Sequence, residues 1–528
     1  MESPFPVLPA QPAPFLLGWP SILDRIREAL AERDEAIYLV GGAVRDALLR
    51  RPIHDLDFAT DGDGRRIAKR IADRLEGAYY PLDAERRVGR AIVQHESQEY
   101  VIDVAAFRGL SLLADLSGRD FTLNAMAVAL DGQMQTILDP LDGLQDLRQK
   151  RLRRCSPNSI SDDPIRALRA VRQSVALGLH IEPETRADLR RFGPGISGVS
   201  PERVRDEFMT ILGGPRPHGA LRILDALGLL SLILPEIEAM RGIEQSLPHI
   251  HDVWEHTLNV VERLYGILMT ISPARTEESA ADGALGMVVY LLDRFRSQLQ
   301  AYVERPLPNH RSVQSLLILS ALLHDCAKPL TRSVADDGRI HFYEHEIRGA
   351  ELAEERAFAL RLSNEEAVRL ATIVRHHMRP MMLRETAALS RRILHRFWRA
   401  TGEAGVDVCL LTMADYLGMV GVTLVLQDWI AYLEVVGSLL DGYFNQRDTV
   451  VAPQPLLTGR ELMDKLSLPP GPAIGRLLTA LSEAQASGDI SSAAEALALA
   501  QFLQHLPKAQ DAEGDDGADG ITPASPRT

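Results

Sequence analysis

The segment Tyr38-Leu-Val-Gly-Gly-Ala-Val-Arg-Asp-Ala-Leu-Leu-Arg-Arg-Pro-Ile-His-Asp-Leu-Asp-Phe58 decides the fold of the first half of the chain. It starts with a short apolar run typical of a buried strand, and Gly41 and Gly42 then permit a sharp turn into a helix over 43–50. Pro52 ends that helix, and a second strand follows. The segment therefore predicts a strand, a glycine turn, a helix and a strand.

Two aspartates give this segment its chemistry. Asp55 and Asp57 are two residues apart, so their side chains project from one face of the second strand. Two carboxylates on one face are hard oxygen ligands for Mg²⁺ and leave positions for phosphates and water, as in nucleotidyl transfer. An isolated Asp-x-Asp or Gly-Gly pair is a weak signal, and the specificity comes from the order of all the parts within about twenty residues.

This order of parts resembles the head of the class II tRNA nucleotidyltransferase and bacterial poly(A) polymerase family. The resemblance implies an α/β, polymerase-β-like nucleotidyltransferase head, followed by an all-helical neck and body. It also implies that Gly41, Gly42 and Arg45 hold the phosphates and sugar of a nucleotide, while Asp55 and Asp57 are catalytic and hold Mg²⁺. Asp103, in an alternating strand, is either a third carboxylate of this site or an ordinary edge-strand residue.

A second motif follows at Arg119-Asp-Phe-Thr-Leu-Asn-Ala-Met126. Without the family, it would be a capped helix start. It is similar to the family motif Arg-Arg-Asp-Phe-Thr, which implies contacts of Arg119, Asp120 and Asn124 with the sugar and triphosphate. This chain has Gly118 where the first arginine of the motif is expected.

A third motif is Asp162-Asp-Pro-Ile-Arg-Ala-Leu-Arg169. Asp163 and Arg166 are one helical turn apart, and Arg169 and Arg172 continue the row. A carboxylate and a guanidinium at fixed separation can recognise the Watson-Crick edge of a base, although a helix cap with an ion pair explains the same residues. The segment is similar to the family motif Glu-Asp-x-x-Arg, which implies that Asp163 and Arg166 select the base.

A basic cluster between these motifs is a candidate RNA-binding surface, with a solvated helix face as the alternative. The cluster consists of Arg148, Lys150, Arg151, Arg153 and Arg154. Further on, Arg203 and Glu207 predict an i,i+4 ion pair between neck residues.

The second half of the chain carries histidines and carboxylates spread over predicted helices. An adjacent His-Asp pair in an apolar helix is costly unless it is paired or bound to metal, and such groups can converge on one or two ions. In order, the set resembles the metal ligands of the HD phosphohydrolase domain, which implies an all-α fold. The implied ligands are His256, His324, Asp325, His345, His377 and Asp415.

This second resemblance implies a phosphatase or 2′,3′-cyclic phosphodiesterase activity that uses a divalent transition metal such as Mn, Ni, Co or Fe. Lys328, three residues after Asp325, is positioned to face a phosphate. The long separation between His256 and His324 implies an inserted helical segment around 270–312.

Composition limits the remaining possibilities. The chain has 528 residues, which predicts two to four domains, and its formal net charge of −14 requires any RNA contact to be local. Cys155, Cys326 and Cys409 show no zinc-binding spacing and fit a reducing compartment. The sequence shows no secretory signal, and Asp415 interrupts the apolar run 408–426, so we expect a cytoplasmic protein without a membrane partner.

The predicted organisation has six parts. They are a flexible lead-in at 1–20, the head at 21–145, a helical neck for base recognition and RNA binding at 146–240, the HD domain at 241–445, a helical segment at 446–507 and a disordered tail at 508–528.

The resemblance to the nucleotidyltransferase family therefore implies template-independent addition of CCA, or part of it, to the 3′ end of tRNA from CTP and ATP. A poly(A) polymerase shares the same motifs, and CC-adding or A-adding specialists remain open. A different alternative is an HD phosphohydrolase whose head binds RNA without catalysis. The sequence leaves the oligomeric state open.

Overall fold

The structure is a computed structural model, which describes residues 8–272, 282–307, 311–385 and 389–505. The predicted tail at 508–528 and part of the predicted insert lie outside the described residues. The chain forms two compact units. The first contains Met1–Met269, Ala301–Arg375 and Ala414–Gly421, and the second contains Thr270–Gln300, His376–Met413 and Val422–Thr528. The predicted HD range 241–445 is therefore divided between them.

The head is built on an eight-stranded mixed sheet with the strand order β1-β8-β7-β2-β3-β6-β5-β4. The central pair, β3 and β6, is parallel, and β2 is antiparallel to both β3 and β7. The predicted strands around 38–40, 55–57, 91–93 and 100–104 are all present. The strands are β1 (Ala10–Pro12), β2 (Ile37–Val40), β3 (Asp55–Thr60), β4 (Ala78–Asp83), β5 (Val88–His95), β6 (Gln98–Ala106), β7 (Ala127–Ala129) and β8 (Thr136–Leu138).

Short helices surround this sheet. The helix that follows Asp63 shows why it packs there, since Ile67, Ala68 and Ile71 share one face and are buried in the head core. Asp63 caps its first turn by accepting a hydrogen bond from the Arg65 backbone N–H. The head helices are α1 (Ile22–Ala29), α2 (Gly42–Leu48), α3 (Gly64–Leu75), α4 (Leu112–Ser117) and α5 (Gly143–Arg148).

The lead-in predicted to be flexible over 1–20 is structured where it is described. β1 pairs antiparallel with β8, with Gln11 opposite Ile137. The Trp19 indole N–H donates to the Met134 carbonyl at 3.0 Å, and Leu17 is buried in the head core. The head therefore begins before residue 21, because this segment pairs with the edge strand β8 of its sheet.

The neck is mostly helical but contains a small parallel sheet that the sequence did not predict. Arg151 lies opposite His180, and Leu152 lies opposite Ile181. The neck elements are β9 (Arg151–Leu152), α6 (Ser159–Asp162), α7 (Arg166–Leu177), β10 (His180–Ile181), α8 (Pro183–Phe192), α9 (Pro201–Leu212), α10 (Pro217–Ala226), α11 (Leu230–Ile233) and α12 (Glu236–Met240).

In the described part of the remaining chain, the structure is helical except for one antiparallel hairpin, β11–β12, which adds strands to a region predicted to be all-α. The elements are α13 (Val253–Ile271), α14 (Gly283–Leu292), α15 (Arg296–Glu304), α16 (Val313–Leu323), α17 (Lys328–Thr331), β11 (Arg332–Val334), β12 (Ile340–Phe342), α18 (His345–Ala359), α19 (Asn364–His376), α20 (Arg379–Met382), α21 (Arg391–Thr401), α22 (Ala404–Val420), α23 (Leu426–Asn445), α24 (Gly459–Leu466), α25 (Pro472–Ser487) and α26 (Ala493–His505).

Two features of these helices bear on the sequence predictions. The described part of the predicted insert forms α14 and α15. Helices α24 to α26 share a core around Leu462, Leu477 and Leu481.

Among the described residues, the segment Ala404–Thr423 is long and apolar enough to cross a membrane. In this structure, 89% of its most apolar window is buried inside the protein.

Three of the five residues in the basic cluster that the sequence predicts to bind RNA form ion pairs within the protein. Asp146 is fully buried, and the Nε atoms of Arg151 and Arg153 lie 2.5 and 2.8 Å from its carboxylate oxygens. Arg154 pairs with Asp188 at 2.7 Å. Arg151 and Arg153 therefore join the neck to the last helix of the head, while the pair of Arg154 with Asp188 lies within the neck.

The other two members of the predicted cluster, Arg148 and Lys150, are exposed. Thr122 belongs to the same junction, because its hydroxyl donates to Asp146 at 2.7 Å.

Replacement of Asp146 tests this junction. Asp146→Ala leaves two guanidinium groups and the Thr122 hydroxyl without their shared acceptor, and breaking a buried ion pair costs about 3 kcal/mol. We expect a lower midpoint in urea denaturation followed by circular dichroism. Asp83→Ala is the control, since Asp83 pairs with exposed Arg86 at 3.8 Å and such surface pairs contribute about 0.5 kcal/mol. A loss no larger than that of the control would contradict this role.

Candidate functional site

The aspartates of β3 lie on one face of the strand, as predicted. Asp57 is opposite Asp103 in the parallel pair β3–β6, and Asp55 is two residues before it. Burial raises the pKa of Asp57, Arg119 opposes this shift, and the charges of Asp103 and Asp55 raise the pKa further. Neighbouring carboxylates favour protonation of one another unless a cation offsets their charge. The donor set therefore fits a hard divalent cation.

Asp103 lies beside this pair and is itself held by an arginine. Both oxygens of Asp103 accept hydrogen bonds from Arg90, at 2.7 and 2.8 Å. The predicted third carboxylate is thus located next to Asp57 and is fixed by the neighbouring strand β5.

The turn between β2 and α2 requires glycine at its first position. Gly41 has a φ of +75°, a conformation that side chains rarely adopt. A Cβ atom at this position would also lie 3.2 Å from an Asp57 carboxylate oxygen and 3.2 Å from an Arg119 guanidinium nitrogen. Glycine therefore lets the backbone approach both groups, and Gly42 opens α2.

Asp120 and Asn124 form the centre of a hydrogen-bond network. Asp120 accepts from the Phe121 backbone N–H at 2.8 Å, from the Asn124 amide at 2.9 Å and from Arg169 at 2.9 Å. The Asn124 oxygen in turn accepts from Arg45 at 2.8 Å. Burial alone would raise the pKa of Asp120, but Arg169 and these hydrogen bonds lower it to about 2. Four predicted nucleotide-binding residues are therefore joined directly.

Asp163 and Arg166 lie at the same site but do not pair with each other. Asp163 precedes α7 and accepts a hydrogen bond from Arg203 at 2.8 Å, so the predicted pair of Arg203 with Glu207 does not form. The guanidinium group of Arg166 is held by backbone carbonyl oxygens. These belong to Gly118, Arg119 and Ser159, at 2.9, 3.1 and 3.0 Å.

All of the predicted nucleotide-binding residues line one cavity of about 410 Å³. The predicted lining residues are Gly41, Gly42, Arg45, Asp55, Asp57, Arg119, Asp120, Asn124, Asp163, Arg166 and Arg169. Arg172, which continues the predicted row of α7, also lines the cavity. Sequence reasoning missed four further polar residues of the lining, namely Asp46, His54, Arg108 and Gln173. Gln173 lies one turn after Arg169 on the same face of α7, so helical periodicity could have indicated it.

Five of the six predicted HD ligands lie together in the first compact unit. The His256 Nε2 atom is 3.0 Å from Asp415, and the His324 Nε2 atom is 3.1 Å from Asp325. His345 approaches the other oxygen of Asp325 at 3.3 Å. Their side chains are buried. The sixth residue, His377, is buried and belongs to the second unit.

Backbone groups orient two of these imidazoles. The Nδ1 atom of His324 donates to the Ala321 carbonyl at 2.8 Å, and that of His345 donates to the Phe342 carbonyl at 2.7 Å. This arrangement directs each Nε2 atom at the carboxylates, as is common for metal-binding histidines. A donor set of imidazole and carboxylate groups fits a divalent transition metal.

The charges of this cluster are strongly coupled. Burial acts to lower the pKa of His324, but Asp325 and Asp415 raise it to about 10. Conversely, burial acts to raise the pKa of Asp325, while His324 and Lys328 hold it well below its usual range. The Lys328 ammonium group lies 2.7 Å from Asp325, so the lysine predicted to face a phosphate is present at the cluster.

Comparison with known families follows the same division of the chain. Residues 37–153 match the family model described as poly A polymerase head domain. Residues 178–241 match the probable RNA and SrmB-binding site of polymerase A, and residues 253–419 match the HD domain.

The chain is also similar to curated proteins and to a solved structure. The solved complex of a CCA-adding enzyme with CTP shares this fold, with a TM-score of 0.60 at 17% identity over 94% of this chain and 99% of that one. The CC-adding tRNA nucleotidyltransferase of Thermus thermophilus is 32% identical over 89% of this chain and 94% of its own length. The A-adding tRNA nucleotidyltransferase of Deinococcus radiodurans is 34% identical over 88% of this chain and 94% of its own length. At that identity and coverage, the chain belongs to the tRNA nucleotidyltransferase family.

Proposed function

We propose that the chain transfers nucleotides from CTP or ATP to the 3′ end of tRNA in the cytoplasm. The observation that carries this proposal is the single cavity that Asp55 and Asp57 line together with the arginines of the second and third motifs. The names of the two curated relatives, A-adding and CC-adding, supply the nucleotides and the acceptor. The order of head and neck motifs supports the same reaction.

Asp55 and Asp57 are the residues that hold Mg²⁺ in this proposal, with Asp103 beside them. When bound, Mg²⁺ lowers the pKa of the attacking 3′ hydroxyl and neutralises the triphosphate. Arg119 contributes a fixed positive charge between Asp57 and the turn at Gly41. Asp120 and Asn124 act mainly through position, because their polar atoms are engaged with Arg169 and Arg45.

Arg166 and Asp163 have the hydrogen-bonding capacity to select C and A. A guanidinium group has five N–H donors, and Arg166 gives three of them to backbone carbonyls. Two donors remain for the ring nitrogen of a base, and Asp163 retains acceptor capacity for an exocyclic amino group. Cytosine and adenine both offer an amino group beside an acceptor ring nitrogen. Guanine and uracil instead offer a carbonyl oxygen beside a ring N–H donor. This arrangement supports use of CTP and ATP over GTP and UTP.

The product is the whole CCA end or part of it. Because the two full-length relatives are named for partial reactions, a specialist that adds CC or the terminal A is the favoured form, and a poly(A) polymerase is the alternative product class. Arg148 and Lys150 are the remaining candidates for contact with the RNA backbone, since both are exposed.

Incorporation assays on defined transcripts test the function. The purified protein and Mg²⁺ are incubated with tRNA lacking CCA, ending in CC or ending in CCA, together with CTP, ATP or both, and the 3′ ends are sequenced. Addition that stops at CC, at CCA, or only after CC supports the proposal and identifies the product. A long A tail would show a poly(A) polymerase, and no addition under any condition would overturn the proposal.

Removal of one carboxylate charge tests the catalytic assignment. Asp57→Asn keeps the shape of the side chain, and we expect nucleotide incorporation to fall by about 1,000-fold or more, since metal-assisted stabilisation contributes several kcal/mol. Binding of tRNA, measured by filter retention, should remain. Asp73→Asn is the matched control, because Asp73 is an exposed head residue paired with Lys69. Full Mg²⁺-dependent incorporation by Asp57→Asn would disprove the assignment.

The buried cluster of histidines and carboxylates in the region that matches the HD domain favours a second function. His256, His324 and Asp415 place ligand atoms within 4.8 Å of one another, with Asp325 adjacent to them. We propose that these residues hold a divalent transition metal, such as Mn, Ni, Co or Fe, which when bound activates water for hydrolysis of a phosphate ester. Lys328 lies at the cluster and supplies a cation for the phosphate.

A histidine variant separates the two functions. His324→Ala should lose the metal, measured by mass spectrometry after reconstitution, and should lose hydrolysis of 2′,3′-cyclic AMP. Nucleotide addition should remain and confirms that the variant is folded. His505→Ala, at the exposed end of α26, is the control. If the wild-type protein binds no metal in this assay, the cluster is structural.

A further inference from the structure

Arg108 is a cavity residue that none of the sequence motifs contains. It lies in the loop after β6 and lines the same cavity as Asp57, Arg119 and Arg166. The position that departs from the second motif, Gly118, is its immediate neighbour in space. This proximity connects the missing arginine of the motif with an arginine ten residues earlier in the chain.

The side chain of Arg108 occupies the space next to Gly118. Its Nη1 atom donates to the Gly118 carbonyl at 2.8 Å, and Arg166 donates to the same oxygen at 2.9 Å. A Cβ atom at position 118 would lie 3.6 Å from the Arg108 Cδ atom. A side chain at position 118 would therefore start where Arg108 now passes, and Arg108 brings a guanidinium group to that region.

The charges around this carbonyl indicate an anionic ligand. Three guanidinium groups, those of Arg108, Arg119 and Arg166, meet here. Asp115 is a carboxylate shared by two of them, since it accepts from Arg119 at 3.0 Å and lies 3.9 Å from Arg108. The Arg108 side chain is 55% exposed, so its remaining donors are accessible from the cavity. A guanidinium fork with free donors matches the oxygens of a phosphate.

We infer that Arg108 binds the triphosphate of the incoming nucleotide, in place of the arginine that the motif lacks at position 118. This inference rests on the proposed nucleotidyl transfer. Arg108 contacts phosphate and not the base, so it serves CTP and ATP equally. The contact is made in the ground state and in the transition state alike, so it affects substrate binding more than turnover.

The first test compares Arg108→Ala with Arg25→Ala, an exposed head arginine outside the cavity. We expect the KM for each accepted nucleotide to rise by about 10- to 100-fold in Arg108→Ala, as for loss of a charge-assisted hydrogen bond, with kcat changed by less than about twofold. Binding of inorganic tripolyphosphate with Mg²⁺, measured by calorimetry without RNA, should weaken by the same factor. Arg25→Ala should match the wild-type protein.

The second test moves the arginine to its expected position. Gly118 has a φ of −81°, which any residue accepts, and a Cβ atom there has no contact shorter than 3.4 Å. The double variant Arg108→Ala/Gly118→Arg should therefore recover tripolyphosphate affinity and KM to within about fivefold of the wild-type values. If Arg108 had only a structural role, the Gly118→Arg substitution would not restore the affinity or the KM.

The outcomes are distinct. Unchanged tripolyphosphate affinity in Arg108→Ala would overturn the inference, and so would a loss of affinity that the double variant does not recover. Wild-type protein that binds tripolyphosphate but adds no nucleotide would overturn the proposed function, while the calorimetric comparison would still decide whether Arg108 binds phosphate.

Discussion

The buried carboxylate of Asp120 is the group on which the arrangement of the cavity depends. A buried ionised group destabilises a protein unless other groups compensate its charge. Asp120 is compensated by the Phe121 backbone N–H and Asn124, both in the head, and by Arg169 on neck helix α7. Because the compensation comes from both sides, the head turn and the neck helix are fixed relative to each other, and the cavity forms between them.

The network divides the cavity residues into two groups. Arg45, Asp120, Asn124 and Arg169 bind one another, so their role is to hold geometry. Arg166 instead binds backbone carbonyl oxygens, which are neutral, so its positive charge is not cancelled by a carboxylate partner. The positive charge available to a nucleotide is therefore concentrated near Gly118, at the end of the cavity where the motif lacks an arginine.

The sequence predicted the parts of this site that depend on local geometry. The glycine turn at Gly41 and the spacing of Asp55 and Asp57 are set within about twenty residues, and a strand places both carboxylates on one face. The resemblance to known motifs identified further cavity residues, such as Arg119 and Asp163, because each motif fixes several residues within one or two helical turns.

The sequence did not predict the partners that the fold brings from elsewhere. Asp163 is paired with Arg203, which is 40 residues away, although local spacing favoured Arg166. The partners of the basic cluster were not predicted for the same reason, since buried Asp146 engages Arg151 and Arg153 through a turn that a charge count does not reveal. Sequence proximity shows which side chains share an element, whereas ion pairing depends on how elements pack.

The two proposed metal sites differ in how the protein compensates the negative charge of their clustered carboxylates. In the head, burial and the neighbouring charge of Asp103 raise the pKa of Asp57, so the carboxylates are undercompensated by protein cations. In the HD cluster, His324 and Lys328 overcome the effect of burial and hold the pKa of Asp325 well below its usual range. A divalent ion would therefore supply missing positive charge in the head, whereas protein cations already compensate the Asp325 carboxylate in the HD cluster.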